Sequence, residues 1–286
     1  MQPAEPTKQT RVVDVLIERF PQSSKQTLKR MVEQGRVRIN GVRARRLTDE
    51  VKPHDELRVE DRPRRQDTVS LDPLEKIFED QDLLIVNKPA GLLTSTGPRE
   101  KRPTALAIIQ NFYKIKEPRT KIGLIHRLDR EASGLLVFSK SDVAYESLKT
   151  QFFRHDVQRV YHAIVKGNVA PPAGTIESLL VEYADGTVHS TRVAGKGQRA
   201  VTHYDTVRQK APYSELRVRL ETGRKHQIRV HLAGRNWPIV GDRVYGKVPA
   251  ERLMLSAIEL GFTHPRTGAP VHFAAPIPEE MSKLMS

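Results

Sequence analysis

The chain has 286 residues, 38% of them hydrophobic and 29% charged, with 48 Lys and Arg against 34 Asp and Glu for a net charge of +14. That length exceeds the usual size of one compact domain and predicts a large domain with a smaller module. The charge surplus points to a phosphate-rich partner, nucleic acid before an anionic membrane surface. The absence of cysteine excludes disulfides, thiolate zinc sites, iron–sulfur clusters and cysteine nucleophiles. Because the first ten residues carry no basic-then-apolar leader and no uncharged apolar run approaches the ~18 residues of a spanning helix, a soluble, cytoplasmic protein without a membrane partner is expected.

Residues 11 to 66 hold 15 Lys and Arg against 9 Asp and Glu. Val12, Val15, Leu16 and Phe20 suit one face of a helix that Pro21 stops. Ser24 caps a second helix with Leu28, Met31 and Val32 on its inner face, Lys25, Lys29 and Arg30 on its outer face, and Gly35 at its end. Val37 and Ile39 then alternate with Arg36 and Arg38 before Asn40-Gly41, a tight-turn dipeptide. A last strand, Leu57 to Val59, follows a turn at His54-Asp55. By itself this basic surface reads as a solvated face. In sequence order, however, S-S-K-Q-T-L-K-R-M-V, G-R-V-R-I-N-G and V-K-P-H-D-E-L-R-V resemble the small alpha-L RNA-binding module, here residues 11 to 60. That resemblance implies RNA contacts by Lys25, Lys29, Arg30, Arg36 and Arg38.

Residues 61 to 70, with two arginine clusters around Pro63 and no apolar period, read as a linker. Over residues 71 to 286, strands are expected at Leu83 to Val86, Leu135 to Phe138, Tyr161 to Val165, Val201 to Val207, Leu216 to Leu220 and Val271 to Phe273. Helices are expected at Val143 to Phe152 and His226 to Ala233. Strands dominate without a βαβ repeat, so the expected class is α+β with a mixed, mainly antiparallel sheet. The loops at residues 97 to 103 and 195 to 199 are basic enough to touch a nucleic-acid backbone.

Three segments could carry chemistry. In Ile125-His126-Arg127-Leu128-Asp129-Arg130, followed by Glu131-Ala132-Ser133-Gly134-Leu135, a carboxylate sits between two arginines just before a strand, which favours its anion; the bland alternative is a structural turn held by Asp129 and Ser133. In Glu221-Thr222-Gly223-Arg224-Lys225-His226-Gln227-Ile228, Gly223 permits a bend and Arg224, Ile228 and Leu232 fall on one helical face, so Arg224 points inward. An inward arginine needs an anion, and Asp129 is the candidate; a snorkelling Arg224 is the alternative. In Arg159-Val160-Tyr161-His162-Ala163, Tyr161 is either a core residue or a stacking platform for a base. A metal site built from His126, Asp129, His226 and His231 is disfavoured, because five residues of helix rotate the last two histidines by about 140° relative to each other. A serine hydrolase is disfavoured because no G-x-S-x-G elbow occurs.

Taken together these segments resemble the RluA type of RNA pseudouridine synthase, and the N-terminal module suggests its RluD-like branch. Asn87-Lys88-Pro89-Ala90-Gly91 matches the family's first motif, and His126 to Leu136 the second, whose aspartate is Asp129. Arg159 to Gly167 matches the segment bearing the stacking tyrosine, Tyr161. Thr222 to His231 with Gly241-Asp242-Arg243-Val244-Tyr245-Gly246 matches the third. Two positions depart from the family: Ala132 stands where threonine is usual, and Arg159 where lysine is usual.

The resemblance implies a pseudouridine synthase fold and isomerisation of specific uridines in structured RNA, most simply large-subunit ribosomal RNA, without cofactor or metal. It assigns Asp129, Tyr161 and Arg224 to catalysis and Arg127, Ile228 and Lys88 to the substrate. Asp129 either adds covalently to uracil or ribose, or acts as a base through a glycal intermediate. The rival readings are a non-catalytic RNA-binding ribosome assembly factor, which Ala132 would suit, and a metal-dependent RNA hydrolase.

Overall fold

The computed structural model describes residues 6, 8–33, 35–60, 70–96, 102–193 and 195–286. The expected linker, apart from its last residue, and most of the 97–103 loop lie outside these residues. The chain separates into two compact units, Met1–Val69 and Ser70–Ser286.

In the first unit, β1 (Thr10–Arg11) leads into α1 (Val12–Arg19), and α2 (Lys25–Glu33) begins where Ser24 Oγ accepts the Thr27 N–H at 3.2 Å. Strands β2 (Val37–Ile39), β3 (Val42–Arg43), β4 (Glu50–Val51) and β5 (Leu57–Val59) follow. They make a three-stranded sheet in the order β3-β2-β5 and a separate β1–β4 pair. Asn40 and Gly41 both take positive φ, 51° and 78°, as the two-residue turn between β2 and β3 requires. Val12, Leu16, Leu28, Val37, Val51 and Leu57 are fully buried in one small core.

The second unit contains β6 (Glu75–Glu79), β7 (Leu83–Lys88), α3 (Ala105–Lys116), β8 (Gly123–Leu124), β9 (Ser133–Ser139) and α4 (Asp142–Arg154). Strands β10 (Gln158–Lys166), β11 (Ala173–Glu182), β12 (Val188–Thr191), β13 (Gln198–Lys210) and β14 (Tyr213–Leu220) come next, then α5 (Gln227–Gly234). The chain ends with β15 (Leu255–Thr263), β16 (Pro270–Ala274) and α6 (Glu279–Met285).

All the described strands of this unit belong to one sheet with the path β12-β11-β13-β14-β10-β15-β9-β7-β6; β16 pairs with β15 and β8 with β9. Among the described residues every pair is antiparallel except β15 with β9. This is the mixed, mainly antiparallel sheet expected of the sequence. At the parallel junction Ala257 lies opposite Gly134. Gly134 has φ 114°, and a Cβ there would stand 2.2 Å from the Ala257 carbonyl oxygen, so only glycine lets the strands meet. The turn carrying Asp129 enters β9 at this junction, and Tyr161 on β10 lies opposite Ala257 on the other side of β15. The strand order therefore brings the segments bearing Asp129 and Tyr161 to one place.

Candidate functional site

The turn bearing Asp129 is fixed through its backbone. Thr94 Oγ1 donates to the Leu128 carbonyl at 2.8 Å and accepts the Leu128 N–H at 3.1 Å. The Gly91 N–H donates to the Arg130 carbonyl at 2.8 Å. Lys88, at the end of β7, is fully buried, and its ammonium reaches the carbonyls of Pro89, Leu92, Arg130 and Ala132 at 2.9, 2.8, 3.2 and 2.6 Å. Burial draws its pKa down to about 7, against the pull of Asp129. The motif Asn87 to Gly91 is thus a cradle for the turn, and Lys88 is enclosed rather than available to a substrate. This corrects its expected role: the four carbonyls that share its three protons all lie within the protein.

Asp129 opens onto a cavity of about 450 Å³. Its side chain is 20% exposed, and Arg229 Nη1 lies 3.3 Å from Oδ2. Arg229, on α5, is itself clamped on Asp242, with Nε at 2.8 Å and Nη2 at 2.9 Å from the two carboxylate oxygens. Asp242 also accepts the N–H groups of Val244 and Tyr245. Burial pushes Asp242 up, but Arg229 and these N–H groups outweigh it and hold the carboxyl below its ordinary range. Arg229 is therefore a fixed guanidinium with one edge committed to Asp242 and the other presented to Asp129.

The expected partner, Arg224, is elsewhere. The helix begins at Gln227, so Arg224 lies in the preceding bend, out of phase with Ile228 and Leu232. Its Nε donates to the Arg199 carbonyl at 3.2 Å. Gln227 shapes that bend: its amide oxygen accepts the Thr222 hydroxyl at 2.8 Å and the Arg224 N–H at 3.0 Å, while its amide nitrogen donates to the Val201 carbonyl and to Thr202 Oγ1. Sequence phase favoured Arg224 over Arg229; in the structure it is Arg229 that meets Asp129, fixed by a buried Asp242 thirteen residues later in a Gly-Asp turn.

His226 adopts a left-handed φ of 54° at the start of α5. Its Nε2 lies 4.0 Å from Asp129 Oδ1 and its Nδ1 lies 2.7 Å from the Tyr245 hydroxyl. That hydroxyl accepts the Val188 N–H at 2.8 Å, leaving its own proton for Nδ1. Burial lowers the His226 pKa against the opposing pull of Asp129. This lowering favours the neutral ring, which lies between the Tyr245 hydroxyl and Asp129. Neither His226 nor Tyr245 was singled out in the sequence as part of the catalytic set.

Tyr161 and Ile228, 8% and 4% exposed, give the cavity an aromatic and an aliphatic wall, and Arg127 is exposed at its edge. Burial raises the Tyr161 pKa, so its hydroxyl stays protonated. His126 Nε2 accepts the Val137 N–H at 3.2 Å, and both ring nitrogens of His231 face hydroxyls of Thr202 and Ser178. Among the described residues no group of three or more His, Asp or Glu could hold a metal ion. Ser133 is buried against Ser256 and Arg252.

In the first unit Lys25, Lys29 and Arg30 are exposed on α2, Lys29 lying 3.7 Å from Glu33. Arg36 and Arg38 are half-buried and turned to Glu60, Arg36 Nε to its carbonyl at 3.1 Å and Arg38 Nε to its carboxylate at 2.6 Å. No helix among the described residues is long and apolar enough to cross a membrane.

Comparison with known proteins places these features in context. Residues 82–234 match the family profile described as RNA pseudouridylate synthase, and residues 10–57 match the S4 domain. The chain is 34% identical over 275 residues to the Uncharacterized RNA pseudouridine synthase YlyB of Bacillus subtilis, covering 92% of this chain and 88% of that one. It is 31% identical over 297 residues to the Ribosomal large subunit pseudouridine synthase D of Escherichia coli K12, covering 96% and 89%. The Zymomonas mobilis protein of the same name is 36% identical over 233 residues, covering 74% and 72%. Among solved structures, Human RNA Pseudouridylate Synthase Domain Containing 4 superimposes with a TM-score of 0.63 at 23% identity, covering 73% of this chain and 90% of that one, and so shares the fold.

Proposed function

Because the chain belongs to the RNA pseudouridylate synthase family, whose members are isomerases, we propose that it converts specific uridines of large-subunit ribosomal RNA to pseudouridine in the cytoplasm. The observation that carries this reading is the Asp129 carboxylate, held at the cavity by an Arg229 that Asp242 fixes in place. The reaction breaks the bond between N1 and C1′, turns the uracil, and joins C5 to C1′; C5 loses a proton and N1 gains one, so no external reactant is consumed. Asp129 acts on the reacting uridine, either by covalent addition or as a base toward the ribose. Arg229 holds it in line with the cavity, in the role first expected of Arg224. Tyr161 and Ile228 hold the uracil between them, and exposed Arg127 fills the gap left when the nucleotide leaves its stack. Loops and bulges are the natural targets, since their bases are easily extruded.

The non-catalytic reading rested on Ala132. In the structure the turn is held by Lys88, Gly91 and Thr94 through backbone groups, so a threonine hydroxyl at position 132 is not needed to keep Asp129 in place. The reading is tested by tritium release from RNA labelled at uridine C5. Asp129→Asn should reduce release by about 10²–10⁴-fold or more with RNA binding nearly unchanged; an Asn variant turning over at the wild-type rate would overturn it. Pseudouridine maps of ribosomal RNA from cells with and without the protein identify the substrate.

A further inference from the structure

Six cationic side chains line the cavity among the described residues, namely Arg127, Lys149, Arg159, Arg224, Lys225 and Arg229, against one carboxylate, Asp129. Asp129 and Asp242 account for Arg229, and Glu182 lies 2.5 Å from Lys225. Arg159 has no such partner. It is 9% exposed on β10, one strand step pair from Tyr161, and no carboxylate of the described residues lies within 4.0 Å of it. Its Nη2 donates to the Glu221 carbonyl at 3.0 Å, and its Nε, also buried, has no acceptor among the described residues. The guanidinium lies 5.8 Å from the centre of the Phe152 ring, on which His126 stacks at 4.6 Å. The His126 pKa is pushed down to about 3 by burial and then by Arg159 and Lys149, so this neighbour is neutral and supplies no counter-charge. Space has been made for the guanidinium: a Cβ at Gly223 would stand 2.4 Å from Nη1.

A buried cation without an anion is costly unless a ligand supplies one. Uracil offers only neutral carbonyls and N–H groups, whereas the strand that delivers it carries a phosphate on each side of the ribose. We propose that Arg159 is the seat of a backbone phosphate flanking the target uridine, formed only when the nucleotide is extruded into the cavity. The proposal rests on the RNA-modifying reading and adds a positioning contact to it. It makes capture of the extruded strand, rather than of the base alone, the step that compensates the site's excess charge.

The test is a coupling measurement on an RNA stem-loop with one target uridine, its 5′ or 3′ phosphate replaced in turn by an uncharged methylphosphonate. One replacement should weaken wild-type Kd and kcat/KM by about tenfold or more, the scale of a lost charge-assisted hydrogen bond. Arg159→Met should show a similar loss on unmodified RNA and no further loss on that modified RNA, and Arg159→Lys should recover much of the affinity. The thermal midpoint of Arg159→Met should equal or exceed that of the wild type, because the variant removes an uncompensated buried charge. Losses that multiply at both phosphates, or a lowered midpoint without coupling, would overturn the proposal. Wild-type protein that releases no tritium would instead overturn the isomerase reading, while the Kd coupling still decides the role of Arg159.

Discussion

Arg224 and Arg229 differ by five positions and by the whole depth of the site. Arg229 is 4% exposed and joins two carboxylates, whereas Arg224 makes one bond to a carbonyl at the surface. Replacing each by methionine separates them. Arg229→Met leaves Asp242 buried without its cation, which should cost about 3–5 kcal/mol of stability and abolish turnover; Arg224→Met should change stability by about 0.5 kcal/mol or less. The pH trend carries the sign. In the wild type Asp242 is held below its unfolded pKa, so its contribution is present above that value and is lost as pH falls. In Arg229→Met the buried carboxyl is raised above its unfolded pKa, so stability should be greatest in acid and fall as pH rises through the new value. Urea denaturation of both variants between pH 4 and 8 checks this; parallel slopes for Arg229→Met and wild type would show that Arg229 does not hold Asp242 ionised.

At the scale of elements, the sequence was legible wherever a local rule governs. The two N-terminal helices, the Asn40-Gly41 turn, β9, β10 and α4 follow from apolar period, capping and turn chemistry. β11 and α3 were not recognised, and neither were β15 or α6. Val181 and Leu179 on β11 share the strand with Glu177, Ser178 and Glu182, a polar mixture that tertiary pairing with β12 and β13 makes into a strand. The same limit explains the site. Asp129 and Tyr161 stand in segments whose own pattern marks them, but the Arg229–Asp242 pair and the His226–Tyr245 contact join residues 13 and 19 positions apart, and no periodicity reports such a contact. Lys88 shows the converse. Its place in a motif suggested contact with a substrate, yet its bonds run to the β7 turn and the Asp129 turn. Lys88→Met should therefore remove the ammonium from the carbonyls of Pro89, Leu92 and Ala132, Arg130 keeping the Gly91 N–H, cost about 3 kcal/mol or more, and lower kcat by loosening Asp129 rather than by weakening RNA affinity. A Kd that rises while the urea midpoint holds would return Lys88 to the substrate.

For the whole molecule, the net charge of +14 is not a single property. In the second unit part of it lines the cavity, the place where the proposed reaction would take one extruded nucleotide. In the first unit it divides again: Arg36 and Arg38 are tied to Glu60 within their own sheet, while Lys25, Lys29 and Arg30 stand exposed on one helix. Only cations that exchange water and counterions for phosphate contribute to the salt dependence of RNA binding, by about 0.7 to 0.9 in log–log slope per contact. The full-length chain with Lys25, Lys29 and Arg30 all changed to glutamine should therefore show a slope smaller by about 2, with kcat at saturating RNA unchanged because none of the three lines the cavity. Changing Arg36 and Arg38 instead should alter the slope less and stability more, since Glu60 loses partners it already has. Affinity measured against salt for the three proteins distinguishes these patterns. Equal slopes for the α2 variant and the wild type would mean that this helix face does not touch the RNA backbone, and a larger change from Arg36 and Arg38 would move the contact to the sheet.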